Sequence, residues 1–151
     1  MIHGLKFQGR RNIAGLLASL MADLFSDSWR RDDFDYIVPV PLHPRRHRER
    51  GFNQSELLAR HLSRLVDVPV YRALRKIRAT PPQVGLTDAR RRENVRNVFL
   101  CIKPARIIGR RILLVDDVMT TGATVSSATR ALLRSGCARV SVMTAARSVR
   151  E

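Results

Sequence analysis

The chain is short of aromatics, cysteine, lysine and acidic residues, and each shortage excludes something. Phe, Tyr and Trp make up 5% of its 151 residues, and Trp29, Phe52 and Tyr71 form no evident stacking series of the kind that lines a single-strand groove. The two cysteines, Cys101 and Cys137, make no C-x-x-C pair, so neither a disulfide framework nor a bound zinc is expected. No apolar run approaches the roughly 18 residues of a membrane span. Lys6, Arg10 and Arg11 ahead of Ile13–Phe25 imitate a signal peptide only loosely. Gly9, Asn12 and Asp23 interrupt that run and no small-residue cleavage site follows, so a cytoplasmic location is expected. Acids number 13 against 28 Lys and Arg, giving a formal net charge of +15. Lys6, Lys76 and Lys103 are the only lysines. Coding bias in a GC-rich genome explains arginine over lysine but not that imbalance. So positive a field favours phosphate-rich partners, nucleotides or nucleic acid.

What remains is an ordinary globular composition, 44% hydrophobic, in a chain of single-domain length, residues 1–151. Ile13, Leu16, Leu17, Leu20, Met21, Leu24 and Phe25 fall at helical spacing, with Asn12 as cap. Tyr36–Pro41 reads as a short buried strand running into a proline-punctuated loop. Leu42–Gly51, with Arg45, Arg46, Arg48 and Arg50, reads as an exposed basic loop. A helix begins near Asn53, where Asn53 and Glu56 have capping-box spacing. Val68–Tyr71, Val98–Ile102, Arg111–Val115 and Arg139–Ala145 are further strands, and Ala123–Ser135 is a helix stopped by Gly136. Strands alternating with helices imply an α/β fold: a doubly wound, mostly parallel sheet flanked by helices.

The most informative stretch is Ile112-Leu113-Leu114-Val115-Asp116-Asp117-Val118-Met119-Thr120-Thr121-Gly122-Ala123-Thr124. A buried strand delivers two adjacent carboxylates, and a Thr/Gly turn then opens a helix. Backbone N–H groups from Thr120 through Thr121, Gly122 and Ala123 to Thr124, aided by the helix dipole, suit a phosphate. Asp116 and Asp117 accept hydrogen bonds from two ribose hydroxyls or hold Mg²⁺, directly or through water. Paired acids after an apolar strand also occur in response regulators and near Mg-nucleotide sites, and Thr/Gly can be a plain turn.

This stretch resembles the phosphoribosyl-pyrophosphate (PRPP) signature of the type I phosphoribosyltransferases. Three more segments resemble the ComF branch of that superfamily: Ile2–Gly9, Ile37–Gln54, and Thr80–Leu86 followed by Arg91 and Asn94. The resemblance implies a type I phosphoribosyltransferase-like fold. It places Asp116 and Asp117 on the ribose and Mg²⁺, and Thr120–Thr124 on the 5-phosphate. Val40, Pro41 and Leu42, with Arg45, Arg48 and Arg50, fall at the pyrophosphate. Thr80, Gln83, Arg91 and Asn94 fall in the loop that closes over the active site. Many ComF relatives carry an N-terminal cysteine-rich zinc module ahead of the Ile-His-x-Leu-Lys-Phe segment; here it is expected to be absent, and separately little is expected of the acceptor-binding hood that type I enzymes build outside the core sheet.

Three uses stay open at this level. One is a phosphoribosyl transfer from PRPP to an unknown acceptor, for which no residue stands out as general base. Another is binding of single-stranded DNA during uptake in natural transformation, alongside competence or recombination proteins and with or without self-association. The third is a PRPP-responsive regulator without turnover.

Overall fold

The computed structural model describes residues 11–78 and 98–148, together with Thr87 and Ala89. The Ile2–Gly9 segment and the nominated loop residues Thr80, Gln83, Arg91 and Asn94 lie outside the described residues. In chain order the elements are helix α1 (Arg11–Ser28), strand β1 (Tyr36–Pro39), helices α2 (Pro44–Arg50) and α3 (Gln54–Val66), strands β2 (Leu74–Lys76), β3 (Phe99–Cys101) and β4 (Arg111–Met119), helix α4 (Ala123–Arg134) and strand β5 (Arg139–Arg147).

A parallel sheet runs β1-β4-β5, with Val38 opposite Leu114 and Val115 opposite Met143. β4 is central and apolar on both faces, and its side chains divide by the period of two. Ile112 and Leu114 join Val38, Val125, Ala128 and Leu132 in a core under α4. Leu113 and Val115 join Ile37, Leu17, Met21, Leu58 and Leu62 in a second core under α1 and α3. The antiparallel hairpin β2–β3 packs its Leu74 and Phe99 into the α4 side. Asp35 fastens the start of β4: its carboxylate takes both Nε and Nη2 of Arg111 at 3.1 Å and the Arg111 amide at 2.8 Å.

Several expectations are redrawn. Leu16, Leu20 and Leu24 face outward, 59%, 55% and 59% exposed, while Ala14, Leu17, Ala18, Met21 and Phe25 fill the core. One helix offers a neighbour a stripe only about 100° wide, and seven apolar residues exceed it. The Leu42–Gly51 segment is exposed but helical rather than a loop. His43 caps α2 by accepting the Arg45 amide at 3.2 Å, Pro44 opens it, and Gly51 at φ 76° closes it. α2 buries no residue, so hydrophobic periodicity is silent about it. Val68–Tyr71 shrinks to a single bridge from Val70 to Ile37. Pro69 has no N–H to donate, and the chain turns at once as the Ala73 amide bonds the Tyr71 carbonyl at 3.0 Å. β4 does not end at Val115, because β5 pairs it onward to Met119 opposite Arg147. Both acids therefore sit within a strand.

Candidate functional site

From β1 the chain passes through α2 and α3 to the Val70 bridge on one side of that strand, then returns to lay β4 on the other. The order reverses between β1 and β4, and a crevice at such a reversal is where open parallel sheets bind ligands. Val40–Leu42, leaving β1, and Asp116–Asp117, on β4, border it.

Asp116 is 7% exposed. Its Oδ1 accepts the Ser55 hydroxyl at 2.8 Å and the Asp117 amide at 2.9 Å. Burial, then the charge of Asp117, pushes its carboxyl up to about 7; the Ser55 and Asp117 donors pull the other way without prevailing. At neutral pH the pair therefore carries less than its two formal charges, and a cation or hydroxyl donor between the carboxyls would restore the second. Asp117 is half-buried, its Oδ1 accepting the Val118 amide at 2.8 Å.

Ser55 is set by the start of α3. Asn53 caps that helix through Oδ1, which takes the Ser55 amide at 3.1 Å, while its Nδ2 donates to the Val40 carbonyl at 3.1 Å. The Val40 amide donates to the Val115 carbonyl at 2.9 Å. One asparagine thus ties the loop after β1 to the serine that holds Asp116. Helix capping, read from sequence, accounts for half of its work. The expected capping box does not form: the Asn53 oxygen takes the Ser55 amide rather than that of Glu56, and the Glu56 carboxylate goes to the guanidinium groups of Arg60 and Arg72. Asn53, Gln54, Ser55 and Asp116 are four of the five buried polar residues described.

On the other side of the acids, Gly122 caps α4 in the left-handed region at φ 79°. A side chain there would be strained, and glycine keeps the turn tight. The Thr121 hydroxyl accepts the Ala123 amide at 3.3 Å. The first amides of α4 have no carbonyl one turn back and so point out of the helix, beside Thr120 and Thr124.

The cations fall differently from the expected set. Arg45 pairs with Glu49 along α2 at 3.5 Å and Arg48 is exposed, while Arg50 reaches Gln54 at 3.4 Å. Arg46 is half-buried; burial first, then the charge of Arg46, lowers the pKa of Lys76 on β2, while the charge of Asp116 raises it. Sequence spacing gives no reason to single out Ser55 or Lys76; both are contributed by elements far from the motif in the chain.

A crevice with one buried and one half-buried acid on one side and a helix-opening turn on the other lies at the strand reversal of this α/β domain. Residues 52–149 match the phosphoribosyl transferase domain, and the chain belongs to that family. It is 41% identical over 146 residues to the DNA utilization protein YhgH of Escherichia coli (strain K12), covering 94% of this chain and 63% of that protein. It is 35% identical over 153 residues to competence protein F of Haemophilus influenzae, covering 98% and 67%. The ComF resemblance is borne out, and the chain spans roughly two-thirds of the length of these relatives. Among solved structures, glutamine PRPP amidotransferase from B. subtilis, complexed with ADP and GMP, superposes with a TM-score of 0.61 at 20% identity, over 89% of this chain and 26% of that one. The type I phosphoribosyltransferase fold is thereby established. No helix among the described residues is long and apolar enough to cross a membrane.

Proposed function

We propose that this crevice binds PRPP or ribose 5-phosphate together with Mg²⁺, in a protein that serves DNA utilisation during uptake. The observation that carries the reading is Asp116: a buried carboxyl held by Ser55 at the sheet reversal, between the loop after β1 and the phosphate-turn geometry of Thr120–Thr124. Nothing in the fold's own packing calls for an acid there, and burial works against its charge.

Asp116 and Asp117 accept the two ribose hydroxyls and supply the oxygen ligands for Mg²⁺, directly or through water. No group of three or more His, Cys, Asp or Glu among the described residues could ligate a metal. Phosphate oxygens and water would complete the shell, as is usual for Mg²⁺. When bound, the ion neutralises pyrophosphate charge. The Thr120–Thr124 turn takes the 5-phosphate, and the arginines of α2 face the pyrophosphate. Transfer to an acceptor would rest on positioning and on electrostatic support of the leaving group.

One observation favours a second reading, a PRPP-responsive binder without turnover. Among the described residues, His43 caps α2, His47 is exposed, and His61 lies beside Gly15 of α1, and none is placed against the two acids. A role in DNA handling is supported by the names of the relatives and by the charge of +15.

Thermal unfolding with added ligand tests the proposal. PRPP with Mg²⁺, at about a hundred times its Kd, should stabilise the protein by about 2.7 kcal/mol, and Mg²⁺ alone should not. An unchanged Tm at millimolar PRPP and Mg²⁺ would remove the enzyme and regulator readings together. Single-stranded DNA affinity should fall steeply with salt; a salt-insensitive affinity would rule out the arginines as the contact.

A further inference from the structure

The charge of +15 is not spread evenly over the fold. Outside the site, the acids of the described residues lie with α1, α2 and α3 and the turns beside them, Asp23 and Asp27 on α1 and Glu56 on α3 among them. The opposite layer, made of β2, β3, residues 102–110 and α4, holds no acid at all. Its exposed cations are Arg75, Lys103, Arg106, Arg110, Arg130 and Arg134.

Between β3 and α4 this layer opens into a cavity of about 220 Å³, with Phe99–Cys101 as one wall and Ser127, Arg130 and Arg134 along the other. The chain leaving β3 then crosses to the end of α4. Lys103, in the left-handed region at φ 54°, turns into Pro104–Arg106, and the Gly109 amide bonds the Gly136 carbonyl at 2.8 Å. Two further exposed cations, Lys103 and Arg106, thus stand on the segment that joins the two walls.

Stability alone does not account for this gathering. Arg130 and Arg134 are one helical turn apart, about 5–6 Å between Cβ atoms, where like charges repel. The helix dipole favours Arg134, in the last turn of α4, but fades before Arg130. A polyanion laid in the groove gains from both. The spacing lets neighbouring phosphates of one strand each meet a guanidinium, and a guanidinium also stacks on an unpaired base where aromatic rings are scarce. Leu100, Ile108 and Leu133 are exposed among these cations. They offer apolar cover to bases that a single strand presents and a duplex hides.

We infer that the groove between β3 and α4 binds single-stranded DNA, with successive phosphates on Arg130 and Arg134 and the strand continuing over Lys103 and Arg106. The inference rests on the DNA-handling reading above and gives it a surface apart from the ribose-phosphate crevice. Arg130 lies seven residues, about 10 Å, along α4 from Ala123.

Fluorescence anisotropy of the full chain with a labelled single strand of about 20 nucleotides, over a series of salt concentrations, tests this. Arg130→Gln/Arg134→Gln should weaken binding by at least about tenfold at low salt. It should also flatten the slope of log K against log salt by about 1.4, two phosphate contacts at roughly 0.7 each. Lys103→Gln/Arg106→Gln should act in the same direction. Arg30→Gln/Arg64→Gln removes the same charge from the other layer and should change the slope by less than half of one contact. A duplex of equal length should bind more weakly than the single strand. PRPP titration with Mg²⁺ should give the same result for Arg130→Gln/Arg134→Gln as for wild type. Equal losses from the groove variant and the Arg30/Arg64 variant would report net charge alone and overturn the inference. So would undiminished binding by the groove variant, a matching loss of its PRPP binding, or a duplex bound as tightly as the single strand. A wild type that binds no DNA removes the DNA-handling reading itself, and this inference with it.

Discussion

Replacing Asp116 with asparagine removes a carboxyl that the folded chain keeps protonated over a range where the unfolded chain does not. Burial and the neighbouring Asp117 lift it from an ordinary 3.8 to about 7. Below 3.8 the group is protonated in both states and costs nothing. Between 3.8 and about 7 the folded state alone holds the proton, so stability falls as pH rises. Above 7 both states are ionised and the penalty is complete. Integrated from about pH 5 to about pH 8, the loss is about 3 kcal/mol, a large share of what a domain of this size has. Asparagine keeps an oxygen to accept the Ser55 hydroxyl and the Asp117 amide but cannot ionise. Urea unfolding of both proteins at the two pH values isolates the Asp116–Asp117 pair, because titrating groups not coupled to it cancel in the double difference. Wild type should lose about 3 kcal/mol more than Asp116→Asn between the two conditions. Parallel pH profiles would refute the claim that this carboxyl is held at a cost.

Ser55→Ala removes a donor that helps keep Asp116 ionised, so PRPP affinity should drop near neutrality and recover as pH rises; an equal loss at every pH would count against that role. Asn53→Ala leaves both the start of α3 uncapped and the Val40 carbonyl without its partner. Stability should fall by about 2–4 kcal/mol in chemical denaturation, with a weakened ligand site, whereas a change below about 0.5 kcal/mol, typical of surface positions, would show that this bridge is dispensable. Asp35 lies below the ordinary carboxylate range because Arg111 donates to it. Its contribution is present above the unfolded value and lost as pH falls through the folded one. Asp35→Asn should accordingly lower Tm at neutral pH and converge with wild type in acid; a Tm gap that persists in acid would assign the effect to packing instead.

The architecture could be read from residues because its signals are local. The apolar run of β4, the Gly122 turn and the Gly136 stop each act within a few positions. The two acids and the Thr/Gly turn that opens α4 were legible for the same reason, being contiguous in the chain. What was not legible depended on partners far away. Ser55, on the helix that Asn53 caps, reaches Asp116 across 61 positions of the chain. Lys76 acquires its surroundings from a hairpin whose first strand is three residues long, too short for alternation to reveal. α2 escaped notice because a helix that buries nothing leaves no periodicity, although its His43-Pro44 opening and Gly51 ending carried capping information. The outward Leu16, Leu20 and Leu24 show the converse: periodicity finds a helix but does not say how wide a stripe its neighbours will cover.

The central claim, a ribose-phosphate site organised by the two acids of β4, meets its most direct test in calorimetric titration of PRPP with and without Mg²⁺. Wild type and the Asp116→Asn/Asp117→Asn double variant should be compared side by side. Saturable, Mg²⁺-dependent binding by wild type and its loss in the folded double variant is the expected result. No binding by wild type, or undiminished binding by the variant, would contradict it.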